Sequence, residues 1–197
     1  MAVVTATSPP VCHRSDEQLL ADFQAGNRHV LDELFRRYRG VAFRVASRLL
    51  GNEADALDAV QEGFIKVLTH LEGFEGRSSF KTWLLRVVSN AALDLGRQRG
   101  RRDQLKDESY NDPEREPQAA FFDAGRDLEL ADLRAILSKA LAQLPEAQRQ
   151  TFVLHVDGEL SYREVAQVLK ISVGTVMSRL FYARQKLRTI LAERVSV

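Results

Sequence analysis

The sequence predicts an all-α protein, with two small helical domains joined by an acidic linker. Apolar residues recur at three- and four-residue spacing through most of the 197 residues, and no strand-type alternation interrupts them before residue 103. Between residues 103 and 127 that spacing fails, while acidic side chains, Pro113 and Pro117 accumulate. Residues 160–188 read as a short helix, a tight turn and a longer helix with a polar outer face. That is the helix-turn-helix layout, in which the second helix enters the major groove of DNA.

The elements follow in order. Residues 1–14 carry no long apolar stretch and no early basic cluster; they form no signal peptide and are expected to be a disordered leader. Ser15 caps the first helix, with Gln18 at the capping-box position, and Gly26-Asn27 breaks it. A long amphipathic helix carries Val30, Leu34, Val41, Val45 and Leu49 and stops at Gly51-Asn52. The third runs from Asp55 to Leu71 with Ala59, Val60, Phe64, Val67, Leu68 and Leu71 inward. After a loop over residues 73–79, a fourth carries Phe80, Trp83, Leu84, Val87, Val88, Ala91 and Leu95 and is expected to end within the glycine- and arginine-rich run 96–102.

Periodicity returns at Leu128, giving about four helices to the C-terminus. Pro145 starts one of them and Asp157-Gly158 ends it. In the helix-turn-helix, Ser161 and Glu164 form a capping box, Lys170-Ile171-Ser172 is the turn, and Ser172 caps the second helix. Val173, Val176, Leu180, Ala183 and Leu187 are placed inward there, and Thr175, Ser178, Arg179, Tyr182, Gln185 and Arg188 outward.

Composition is that of an ordinary globular chain, 45% hydrophobic and 28% charged. One cysteine, Cys12, rules out an internal disulfide and fits a reducing cytoplasm. No run approaches the roughly 18 apolar residues of a membrane span, so no membrane insertion is expected. Cys12-His13 supplies two ligands where a structural zinc site needs four, and His29, His70 and His155 are scattered. No phosphate-binding loop, nucleophile elbow or metal dyad occurs, so neither enzymatic activity nor a cofactor is expected. The net charge of +1 conceals blocks of −2 over residues 1–72, +5 over 73–102, −7 over 103–132 and +5 over 133–197. Separate blocks point to separate electrostatic tasks. In the first basic block Phe74, Phe80 and Trp83 interleave with Arg77, Lys81, Arg86, Arg97, Arg99, Arg101 and Arg102, a pattern suited to single-stranded DNA. The bland alternative there is that Phe80 and Trp83 are core.

These residues carry a resemblance. Residues 159–166 (ELSYREVA) with 173–180 (VGTVMSRL) and Ala183-Arg184 resemble region 4 of bacterial sigma factors of the sigma-70 family, extracytoplasmic-function branch. Residues 58–64 (DAVQEGF) resemble the region 2 motif that docks on the clamp helices of the largest RNA polymerase subunit. Residues 74–84 (FEGRSSFKTWL) and 87–94 (VVSNAALD) resemble regions 2.3 and 2.4. Lys170 stands where the family usually has a turn glycine, and Met177 and Tyr182 where it often has basic residues.

The resemblance implies region 2 over residues 15–102, a linker over 103–127 and region 4 over 128–197. It implies polymerase docking by Asp55, Asp58, Ala59, Val60, Gln61, Glu62 and Phe64. Contact with a melted downstream promoter box falls to Phe74, Arg77, Lys81, Trp83, Arg86, Asn90, Arg97, Arg99 and Arg101. Duplex reading of the upstream box falls to Ser161, Tyr162, Ser172, Gly174, Thr175, Ser178, Arg179, Tyr182, Arg184 and Arg188. Expected partners are core RNA polymerase, duplex and melted promoter DNA and an anti-sigma factor, in the cytoplasm, during a stress or envelope response. The alternative is a stand-alone helix-turn-helix repressor or activator.

Overall fold

The computed structural model describes residues 14–106 and 128–195. These form eight helices: α1 (Asp16–Gln24), α2 (Val30–Leu50), α3 (Glu53–His70), α4 (Phe80–Lys106), α5 (Leu128–Ala142), α6 (Glu146–Val156), α7 (Tyr162–Leu169) and α8 (Val173–Val195). The expected leader lies almost wholly outside the described residues, as does most of the expected linker, with Phe121 and Phe122. Two compact units are present, Met1–Arg37 and Tyr38–Val197, the boundary falling inside α2.

In the first unit, Ser15 and Gln18 close the expected capping box: the Gln18 backbone N–H donates to Ser15 Oγ, and the Ser15 N–H donates to Gln18 Oε1. Leu19, Val30 and Leu34 are its buried apolar residues. Arg37 bonds Asp16 and also donates to the Arg14 carbonyl, which ties α2 to the start of α1.

In the second unit, α3 and α4 pack along each other. On α3 the line Ala56, Ala59, Val60, Gly63, Phe64 and Val67 is buried; on α4 it is Leu84, Leu85, Val88, Ala91 and Ala92. Gly63 is what allows the two axes so close. A Cβ there would lie 2.6 Å from Val88 Cγ2 and 3.2 Å from Val88 Cα. Asn52 caps α3 by accepting from the Asp55 N–H at 2.8 Å. Helix α4 departs from expectation by running through Gly96 and Gly100 to Lys106. Each glycine costs about 1 kcal/mol against alanine, and the arginines, glutamines and leucine around them are good helix formers that offset it. The basic run in which the helix was expected to end is therefore part of the helix.

The C-terminal helices close around α8. Val153, Leu154, Val165, Val168, Val176, Leu180, Ala183 and Leu187 are buried, and α6 and α7 both pack on α8. The turn between α7 and α8 is made by Lys170 in the left-handed region, φ 54° and ψ 45°, with the Lys170 and Ile171 N–H groups both donating to the Ala166 carbonyl. A left-handed residue with a Cβ costs roughly 1–2 kcal/mol, and glycine's own entropy returns roughly 0.5–1 of that. Lys170→Gly is therefore expected to raise unfolding stability by about 0.5–1 kcal/mol in a urea titration. No gain would mean that the lysine side chain stabilises the turn.

Candidate functional site

Three surfaces carry the expected site residues. The first is the outward side of α3. Asp58, Gln61 and Glu62 are exposed there, as a docking face requires. Ala59, Val60 and Phe64 are not: Ala59 is fully buried, Phe64 is 4% exposed, and all three belong to the line facing the core. Their expected role as docking contacts is corrected to packing. Asp55 is half-buried, bonded by Asn52 and paired with Arg99 of α4, so two residues assigned to different partners hold each other. Leu57 and Ile65 are each 57% exposed and Leu68 39%, although Leu68 was expected inward. With Gln61 they make a second apolar stripe at i, i+4, i+8 and i+11. The sequence held its signal, since α3 carries more apolar residues than one buried line accommodates.

The second surface is the start and outer face of α4. Phe80 is 2% exposed and belongs to the core. Phe74 stacks on the half-buried Trp83 with ring centroids 4.8 Å apart, so the pair is a partly exposed aromatic shelf. Ser79 caps α4, its Oγ accepting from the Thr82 N–H. Asn90, Arg77, Arg97 and Arg101 are exposed, and Arg86 and Arg99 half-buried. With α4 helical throughout, Arg86, Asn90, Arg97 and Arg101 follow one another at four-, seven- and four-residue steps, a cationic edge with one amide in it.

The third is the helix-turn-helix. Its capping box is formed: the Ser161 N–H donates to Glu164 Oε2 at 2.8 Å and the Glu164 N–H to Ser161 Oγ at 3.3 Å. Burial alone would raise the Glu164 carboxyl, but the bonds from the Ser161 hydroxyl and backbone and from Thr82 hold it below the ordinary range. A depressed folded value stabilises above the unfolded value and is lost as pH falls through the folded one. Ser161→Ala is thus expected to cost about 1 kcal/mol at neutral pH. That cost should shrink as pH falls below the ordinary carboxylate range and Glu164 protonates, read in thermal melts; a constant cost would separate the cap from the carboxylate.

Tyr162 is half-buried with its ring edge-on to His155 at 4.9 Å, which makes it a packing residue with limited reach outward. Ser172 caps α8, accepting from the Thr175 N–H at 3.0 Å, and its hydroxyl pairs with that of Thr175. The Ser178 hydroxyl donates to the Thr175 carbonyl. A Cβ on Gly174 would meet only Ser172 Oγ at 3.7 Å, so folding does not demand glycine there. Arg184 and Arg188 are exposed and Arg179 half-buried. Val173, placed inward by the sequence, is 39% exposed, and with Met177 at 55%, Phe181 at 63% and Tyr182 at 56% it gives α8 an outer face more apolar than expected. Among the described residues there is no group of three or more potential metal ligands, and no helix is long and apolar enough to cross a membrane.

Comparison with known proteins gives the family. Residues 34–102 match the family described as Sigma-70 region 2, and residues 134–187 that described as Sigma-70, region 4. The chain is 33% identical to the RNA polymerase sigma-H factor of Pseudomonas aeruginosa, over 86% of this chain and 90% of that protein. It is 33% identical to the ECF RNA polymerase sigma-E factor of Escherichia coli, over 87% and 91%. Among solved structures it is similar to the sigma factor RpoE bound to the anti-sigma factor NepR from Bartonella quintana, with TM-score 0.63 and 28% identity over 81% of this chain and 97% of that one. The chain belongs to the sigma-70 family of RNA polymerase sigma factors, in its extracytoplasmic-function branch.

Proposed function

We propose that this chain binds core RNA polymerase through the outward face of α3 and brings it to promoters. Helix α8 reads the upstream box in duplex form, and the Phe74–Trp83 shelf with the cationic edge of α4 holds the downstream box as a melted strand. The observation that carries the reading is coincidence. The two matched regions contain the docking helix with the basic helix in one case and the helix-turn-helix in the other. Phosphate contacts from Arg77, Lys81, Arg86, Arg97, Arg99, Arg101, Arg184 and Arg188 fix position, and base contacts from Asn90 and Arg179 supply specificity. With α4 running to Lys106, the acidic stretch 107–127 serves as the tether between regions 2 and 4. Work with polymerase places the protein in the cytoplasm. Its structural relative's complex supports an anti-sigma factor as a further partner.

The test is run-off transcription with core polymerase on genomic templates. Arg179→Ala should lose roughly 1–3 kcal/mol of discrimination for the upstream box and leave transcription from pre-melted templates intact. Equal loss on both templates would make Arg179 structural. Specific DNA binding without polymerase, and no initiation with it, would favour the stand-alone repressor or activator.

A further inference from the structure

The basic surface of α2 and α4 is bridged to another part of the same unit. Four ion pairs join it to the C-terminal helices. Arg44 Nη2 lies 3.4 Å from Glu159 Oε1, and Lys81 Nζ lies 3.4 Å from Glu159 Oε2. Arg48 Nε is 3.4 Å from Asp157 Oδ1, and Arg97 Nη2 is 2.8 Å from Glu146 Oε1. In all four the cation comes from α2 or α4 and the anion from α6 or the loop after it. Two further bonds follow the same seam: the Thr82 hydroxyl donates to Glu164 Oε1 at 3.0 Å, and Gln167 Nε2 donates to the Arg77 carbonyl at 3.0 Å. Gly158 closes it, since a Cβ there would come within 3.2 Å of Leu85 Cδ1. Glu159 is held in the left-handed region at φ 53°, a conformation non-glycine residues adopt only when surroundings enforce it.

From this polarity we infer that Glu146, Asp157 and Glu159 act as an intramolecular stand-in for nucleic-acid phosphates, clasping the basic face of α2 and α4 until DNA displaces them. The inference rests on the functional reading above, because it takes Lys81 and Arg97 as phosphate ligands. A single-stranded backbone and this acidic edge would compete for the same ammonium and guanidinium groups. The seam also takes up the N-terminal end of α7, the helix that in a helix-turn-helix crosses the DNA backbone. The start of α4 and the first helix of the helix-turn-helix are thereby engaged with each other. Most of these pairs are exposed, so each is weak and salt-screened, which suits a contact meant to open. Arg48–Asp157 is the more enclosed one; burial raises the Asp157 carboxyl, against the pull of Arg48 and Arg44.

The full chain tests this by energy transfer between dyes on Gln98→Cys and Arg163→Cys in a Cys12→Ser background. The probe is a 5′-labelled single-stranded oligodeoxynucleotide about 20 nucleotides long, within the range that cationic grooves accommodate. The triple variant Glu146→Gln, Asp157→Asn, Glu159→Gln should lower transfer and bind the oligonucleotide about tenfold more tightly, with helical circular dichroism unchanged. Adding the oligonucleotide to the unsubstituted chain should lower transfer in the same way. A charge swap guards against misfolding: Glu146→Arg alone should open the clasp, and adding Arg97→Glu should restore transfer. Unchanged transfer in the triple variant, or an opened chain that binds DNA no more tightly, overturns the inference. Failure of the unsubstituted chain to initiate with core polymerase would instead refute the functional reading, while transfer still reports whether the clasp exists.

Discussion

Ile65→Asp is expected to weaken binding to core RNA polymerase by a hundredfold or more, roughly 3–4 kcal/mol, without unfolding the protein. The side chain is 57% exposed on a helix whose opposite side is fully packed, so the substitution leaves the core untouched. A charge placed at the centre of the Leu57, Gln61, Ile65 and Leu68 stripe would have to be desolvated on docking, and an unpaired buried charge is strongly unfavourable. Leu57→Asp should behave similarly, and Leu68→Asp less severely, since Leu68 is already more enclosed. Phe64→Ala is the contrasting case. At 4% exposed it should cost about 3–5 kcal/mol of stability and lose polymerase only by unfolding. Fluorescence-monitored titration of core polymerase, with circular dichroism alongside, separates the two. Wild-type affinity in Ile65→Asp would move the docking face away from this side of α3.

Gly63→Ala is expected to destabilise the second unit by about 1–3 kcal/mol, even though alanine is the better helix former by about 1 kcal/mol. The added methyl would sit 2.6 Å from Val88 Cγ2, which a rotamer change can relieve, and 3.2 Å from Val88 Cα, which only movement of α4 can relieve. The sign of the measured change therefore reports whether the close approach is rigid. A gain in melting temperature would mean that α3 and α4 have slack between them.

The helical plan was legible because it rests on local signals. Both capping boxes, the Gly26 and Gly51 breaks and the buried lines of α2, α4 and, after Val173, α8 follow from residue type and spacing alone. What the sequence concealed was direction. The DAVQEGF motif of α3 mixes residues from two faces, so reading it as one docking unit swept Ala59, Val60 and Phe64 in with Asp58, Gln61 and Glu62. Apolar periodicity gives Leu57 and Ile65 no face and sets Leu68 inward, since spacing alone does not separate a second apolar stripe from the buried one. The seam between Lys81 and Glu159 joins residues far apart in the chain, and no periodicity signals such a pairing. Likewise, a glycine pair in a basic run looks like a helix end, yet the good helix formers around Gly96 and Gly100 carry α4 through both.

That unbroken α4 turns the Gly63–Val88 contact into a fulcrum. Eighteen residues separate Val88 from Lys106 at the helix end, about 27 Å of rigid rod at ~1.5 Å per residue. Tilting α4 by about 10° at the fulcrum would swing that end about 5 Å, more than one ~3.4 Å base step. The missing side chain at residue 63 thus governs aim as well as packing. On the proposed docking of α3 to polymerase, the same tilt would carry Arg101, thirteen residues beyond Val88, by about 3 Å, so the depth of one glycine is expected to set the aim of that arginine.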